Sequence, residues 1–214
     1  MTERPAGKRE TNKQDRRQAI IDAARRSFLG EGYAATSMSG LLKILGGSKA
    51  TLWSYFRSKE ELFAAVIENL ASGISDELES GLLGTADLEG TLATFLARLM
   101  EKTALPDTVA AWRLIVGESG RFPELGRIFY EQAARRVETS LAAYLRDQVA
   151  AGRLRDENPN RMAQILMGFC SDRQNKMLWG VASADGDDLD ADAALFTRYF
   201  LRLFGTGTTI EPSV

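Results

Sequence analysis

The chain has 214 residues, 44% of them apolar, enough for one large domain or a small domain fused to a larger one, with a core that needs no covalent staples. A single cysteine, Cys170, and no histidine exclude an internal disulfide and remove the commonest zinc ligands and general bases. The net charge of -2 hides an asymmetry: residues 1–59 carry 12 Lys and Arg against 5 Asp and Glu, and the remainder 15 against 24. A basic module on an acidic body suits a polyanion bound by the module alone, and a solvated basic tail is the alternative. Without an apolar run of bilayer length or a signal-type stretch, the chain reads as soluble, with no membrane partner, and a reducing cytoplasm is expected.

Residues 1–14 are polar, contain Pro5 and Gly7 and show no apolar period, which predicts a disordered basic arm. From Asp15, the apolar positions Ile20, Ala24 and Phe28 recur every four residues, predicting an amphipathic helix that stops at Gly30 or Gly32. Thr36-Ser37 offers cap hydroxyls to a two-turn helix through Met38, Leu41 and Leu45, ended by Gly46-Gly47. Ser48 caps a third short helix, Lys49 to Phe56. Ser58-Lys59-Glu60-Glu61 then forms a capping box for a long fourth helix with Leu62, Val66 and Leu70 on one face. Three helices around Phe28, Leu41, Leu45, Leu52 and Phe56 make a small helix-turn-helix core. Beyond residue 80 every periodic segment reads as helix: Leu88 to Lys102, Asp107 to Ser119, Pro123 to Ala151, Asn160 to Val181 and Leu189 to Phe204. The fold class is all-α, divided as arm 1–14, helix-turn-helix 15–60, a larger helical ligand-binding and dimerisation domain 61–205 and a flexible tail 206–214.

The stretch Arg16 to Val66 resembles the N-terminal signature of the TetR family of transcription regulators. Gly32-Tyr33, Thr36-Ser37, Ser48-Lys49-Ala50-Thr51-Leu52-Trp53-Ser54-Tyr55-Phe56 and Ser58-Lys59-Glu60-Glu61-Leu62-Phe63 carry the likeness. It implies that Thr36, Ser37, Ser48, Lys49, Ala50, Thr51, Trp53, Ser54, Tyr55 and Lys59 form the surface for double-stranded DNA. The chemistry beside that likeness is coherent. Small residues at the start of the third helix allow close approach to the major groove, Lys49 is a donor for guanine or phosphate, and the methyls of Ala50 and Thr51 suit thymine. Trp53 and Tyr55 are phosphate donors, while Thr36, Ser37 and Lys59 lie at helix N-termini that favour anions. The chain departs from the family pattern at Trp53, where Tyr is commoner, at Gly47, where an aliphatic residue is, and at Gly40, where an acidic one is. Gly47 is expected to loosen the turn.

From Trp112 to Gly180 the sequence also resembles the C-terminal part of an AefR-like subgroup, through Arg113-Leu114-Ile115, Glu118, Arg121-Phe122-Pro123-Glu124-Leu125 and Phe129-Tyr130. That likeness implies a pocket for an unidentified small molecule, and Phe95, Leu99, Trp112, Ile115, Phe122, Phe129, Met162, Leu166, Met167 and Phe169 are the large or adaptable residues available to line it. The same spacing serves plain core packing. The family likeness further implies a homodimer through the last two helices, with Ile165, Met177, Leu178, Phe196, Tyr199, Phe200 and Leu203 at the interface; the alternative is that these faces complete the monomer's own core.

No catalytic, metal or cofactor site is expected. The acidic run Asp185 to Asp192 fails as a calcium loop, because counting from Asp188 places Ala193 where glycine is needed and Tyr199 where a bidentate Glu is needed. Cys170 reads as a small buried hydrophobe, with a redox sensor as the alternative. The reading is therefore of a ligand-responsive repressor that binds a palindromic operator as a dimer and is released by a small apolar or amphipathic ligand. An enzyme lacks a nucleophile-base set here, and a ligand-independent DNA-packaging protein is the other competitor.

Overall fold

A computed structural model describes residues 6–83, 87–181 and 188–207. Residues 1–5 of the expected arm, 208–214 of the expected tail and 185–187 of the acidic run lie outside the described residues. The helices are α1 (Ala6–Glu31), α2 (Met38–Leu45), α3 (Lys49–Tyr55), α4 (Lys59–Leu82), α5 (Leu88–Thr103), α6 (Pro106–Glu118), α7 (Glu124–Phe129), α8 (Arg135–Ala150), α9 (Pro159–Gly168), α10 (Ser171–Leu178) and α11 (Leu189–Phe204). The described residues fall into two compact units, one of the chain up to Leu70 with Ala110–Gln132, the other of Ala71–Val109 with the chain from Ala133.

In the first unit, α1 begins at Ala6, so helix replaces the disorder expected over residues 6–14. The reason is propensity: Lys, Arg, Glu and Gln sustain a helix with no apolar face, and such residues leave no period to read. From Ile20 onward the face through Ala24 and Phe28 is buried. Gly32 follows at φ +92, the left-handed position that closes α1, with its N–H donating to Phe28 O at 3.0 Å. Each of the next three helices then starts on a serine. Ser37 Oγ accepts from Gly40 N at 3.0 Å, Ser48 Oγ from Thr51 N at 3.1 Å and Ser58 Oγ from Glu61 N at 3.1 Å. The Glu61 carboxylate reaches back one residue further than the sequence suggests, to Arg57 N at 2.7 Å. Phe28, Tyr33, Phe63 and Phe122 form one ring cluster with centroid separations of 5.1 to 5.6 Å.

The second unit is a helical body in which α11 lies against α5, and α8 against α9. Its core runs through Leu92, Phe95, Leu96, Leu141, Leu145, Met162, Leu166 and Phe200. The chain returns on itself at its far end, where Arg155 N donates to Phe204 O at 2.7 Å and Thr206 Oγ1 to Gly152 O at 2.8 Å. Two helices differ from the expected ones. The single helix over 123–151 is interrupted by a π-helical turn at Tyr130–Ala134, and the one over 160–181 breaks at Phe169–Cys170, just after Gly168. No helix among the described residues is long and apolar enough to cross a membrane, and they contain no group of acidic, His or Cys side chains placed to hold a metal.

Candidate nucleic-acid interface

Helix α3 is anchored from behind. Leu52 and Phe56 are buried, so the residues between and before them must face out: Ser48, Lys49, Ala50, Thr51 and Ser54 are exposed, Trp53 is 39% exposed and Tyr55 half-buried. The outward end is therefore built of small side chains apart from Lys49 with its ammonium. The hydroxyls are already engaged locally, Ser48 Oγ with Thr51 Oγ1 at 2.9 Å and Ser54 Oγ donating to Thr51 O at 2.7 Å. That pairing fixes the rotamer of Thr51 and settles which part of it faces outward before any partner arrives.

The turn leading into α3 consists of Gly46 at φ +63 and Gly47 at φ +97. Two successive left-handed residues suit glycine alone. Arg16 of α1 braces the turn, its Nη2 donating to Gly46 O at 2.9 Å and approaching Leu45 O at 3.4 Å. Behind it a gap of about 10 Å³ is lined by Arg16, Ile20, Leu42, Leu45, Gly46, Ser48, Thr51 and Leu52, at the lower limit for one water. Leu45, expected in the core, is half-buried at that gap. Arg17 lies 5.3 Å from the centroid of the Phe56 ring, so a second α1 cation backs α3.

Two candidate contacts sit differently from expectation. Ser37 is exposed at the start of α2, but Thr36 is only 3% exposed and its hydroxyl donates to Gly32 O at 2.9 Å, which removes its side chain from the phosphate surface. It belongs to the turn, because a threonine hydroxyl readily bonds the carbonyl four residues before it. Lys59 is half-buried with its ammonium 4.1 Å from the centroid of the Tyr33 ring. Burial lowers its pKa, and the nearby Glu118 and Glu60 carboxylates act in the opposite direction.

The residues considered for a ligand pocket divide between the units. Trp112, Ile115, Phe122 and Phe129 are in the first, where Trp112 and Phe129 make an edge contact at 4.9 Å. Phe95, Leu99, Met162 and Leu166 are core residues of the second, with Met167 and Phe169 packed against that core. Of the interface candidates, Ile165, Tyr199 and Leu203 are exposed, and Leu178 and Phe196 are half-buried. Phe200 and Met177 are buried within the monomer, so neither offers a surface to a partner. Phe200 turns inward one residue after Tyr199 because a 100° step along α11 carries it from the outer face to the core.

The N-terminal part matches the family described as bacterial regulatory proteins, tetR family, over residues 20–66, and residues 90–206 match the AefR-like transcriptional repressor, C-terminal domain. The second match alone spans more than half of the chain. The chain belongs to the TetR family of transcriptional regulators. Among related proteins, it is 33% identical over 132 residues to the HTH-type transcriptional regulator BetI of Rhizobium meliloti, covering 61% of this chain and 64% of that protein. A TetR-family regulator from Mesorhizobium loti superposes with a TM-score of 0.79 at 28% identity, covering 91% of this chain and 98% of that one. The Flavonoid-responsive Regulator FrrA superposes with a TM-score of 0.77 at 30% identity, covering 91% and 100%. In this TetR-family chain the matched N-terminal segment thus runs from within α1 into the start of α4, and its function is transcriptional regulation rather than catalysis. Sequence reasoning missed Arg16 as a brace of the α2–α3 turn and left Glu118 without a role, although Glu118 lay within the quoted AefR-like motif.

Proposed function

We propose that this TetR-family protein is a repressor that binds a palindromic operator as a homodimer in the cytoplasm and leaves it when a small apolar or amphipathic molecule binds the helical body of 61–205. The observation that carries the reading is the outward face of α3: Lys49, Ala50 and Thr51 stand exposed on a helix whose opposite face is locked by Leu52 and Phe56. Lys49, Ala50 and Thr51 read base edges, and Ser37, Ser48, Trp53, Ser54, Tyr55 and Lys59 seat the module on phosphate and sugar. A two-fold pair would offer two such helices to successive major grooves about 34 to 36 Å apart. Ile165, Leu178, Phe196, Tyr199 and Leu203 supply the subunit contact, since α11 leaves Tyr199 and Leu203 exposed although it is a terminal element of the body. The ligand acts only through a different affinity for two spacings of the recognition helices. The resemblance to a flavonoid-responsive protein supports an amphipathic aromatic molecule as the first class to try.

The test is binding of the full chain to the DNA upstream of its own gene and to a scrambled duplex of equal length, across a salt series. Tighter binding of the upstream duplex, with Lys49→Ala and Thr51→Ala altering that preference, supports the reading. In the same assay Tyr55→Phe and Lys59→Gln are expected to weaken both duplexes alike. Equal affinity for both duplexes with a shared salt slope would leave only phosphate contacts and favour a DNA-packaging protein instead.

A further inference from the structure

Glu118 is the last residue of α6, where the helix dipole disfavours a carboxylate. Its neighbours explain the placement. Oε1 accepts from Tyr33 N at 2.7 Å and Oε2 from Ala34 N at 2.8 Å, two successive amides that make a concave anion seat occupied by a side chain 85 and 84 residues away in the chain. The approach is so close that a Cβ on Gly32 would lie 2.7 Å from Oε1. The same residue's carbonyl accepts from Phe122 N at 2.9 Å, and the Phe122 ring sits 5.1 Å from that of Tyr33. Glu118 therefore holds Tyr33 twice, by its amide and through the ring that packs on it.

What Tyr33 carries gives this clamp a consequence for DNA. The Lys59 ammonium rests over the Tyr33 ring at the start of α4, and the turn that Glu118 grips closes through Thr36 onto Gly32 and hands the chain directly to Ser37, the cap of α2. We propose that Glu118 is a positioning residue for DNA binding: from the end of α6 it fixes the α1–α2 turn and, through Tyr33, sets the start of α2 and the position of Lys59 against phosphate, without touching DNA itself. This rests on the assignment above of Ser37 and Lys59 to the phosphate surface.

Glu118→Gln keeps the shape but leaves an amide NH₂ facing one of the two N–H groups, so one of the paired bonds is lost. In residue-resolved hydrogen exchange on the full chain, the amides of Tyr33 and Ala34 are expected to exchange at least tenfold faster in this variant, the scale of one lost charge-assisted bond. Affinity for the upstream and scrambled duplexes falls about tenfold together, and Lys59→Gln then weakens binding less than it does in the wild type. Ile128→Val, which lowers the thermal midpoint in the same unit without touching the clamp, is expected to leave both readouts unchanged. Unchanged exchange at Tyr33 and Ala34, or faster exchange with unchanged affinity, overturns the proposal. Should Glu118→Gln fail to fold, wild-type amides at Tyr33 and Ala34 that exchange as fast as in an unstructured peptide overturn it equally. A wild type that fails to prefer its upstream DNA would count against the operator reading alone, because the exchange rates and the scrambled duplex still decide the role of Glu118.

Discussion

Gly47→Ala tests the turn between α2 and α3 most directly. At φ +97 a Cβ is held in the left-handed region, which costs an L-residue about 1 to 2 kcal/mol. The added methyl would stand 3.2 Å from Arg16 Nη2, the movable end of a long side chain, so the steric contribution is small but displaces the brace on Gly46 O. Against this, alanine restricts the unfolded chain and returns roughly 0.4 to 1 kcal/mol. The balance is a loss of about 1 kcal/mol. Urea unfolding at fixed protein concentration reads it as a fall in the midpoint of roughly 0.3 to 0.5 M at unchanged slope, taking a slope of about 2 to 3 kcal/mol/M. Because the turn sets the start of α3, duplex affinity is expected to fall with it. In an Arg16→Ala background the part of the loss that comes from the displaced brace disappears. A Gly47→Ala protein as stable as the parent would refute the left-handed turn and with it the account of how α3 is aimed.

Two further outcomes follow from burial. Phe200→Ala removes a fully buried ring from the second unit and is expected to destabilise by about 3 to 5 kcal/mol, whereas Tyr199→Ala, next in sequence and 45% exposed, leaves the unfolding of a dilute monomer nearly unchanged and instead weakens self-association in sedimentation; equal effects of the two on stability would contradict the assigned faces of α11. Burial pushes the Cys170 thiol up to about 12, so iodoacetamide at pH 8 should leave it unmodified until urea opens the body, and rapid labelling of the folded chain would revive a redox role. The sign of the linked stability is fixed by the same shift: below pH 9 the thiol is protonated folded or unfolded, and from there to about pH 12 only the unfolded chain ionises, so this group lowers stability by about 1.4 kcal/mol per pH unit across that window.

The elements that could be read from the sequence were those with local causes. Ser37, Ser48 and Ser58 cap the helices they precede because the bond each makes lies within three residues. The last helix runs from Leu189 to Phe204 as its apolar period requires. Where periodicity is silent the reading failed. A polar stretch has the same pattern whether it is coil or exposed helix, so residues 6–14 could not be told apart, and a π turn at Tyr130–Ala134 adds one residue to a turn without disturbing the character of its neighbours.

The site was legible to the same degree and for the same reason. Which residues of α3 face outward follows from Leu52 and Phe56 at four-residue spacing, a local pattern, and that face is as expected. What aims the face is not local. Arg16 reaches Gly46 across 30 residues and Glu118 reaches Tyr33 across 85, and neither contact leaves a period in the chain. Their trace in the sequence is hidden under glycines that the turns require on their own account: Gly47 and Gly32 both lie at positive φ, and each also leaves room for a distant group, the Arg16 guanidinium and the Glu118 carboxylate. Thr36 shows the converse, since a hydroxyl that looks like a phosphate contact by position is consumed by the carbonyl of the glycine four residues before it. On the proposed function, the specificity of the surface rests with the residues of α3, while its geometry rests on one cation from α1 and one anion from α6, both bonded to main-chain atoms of turns.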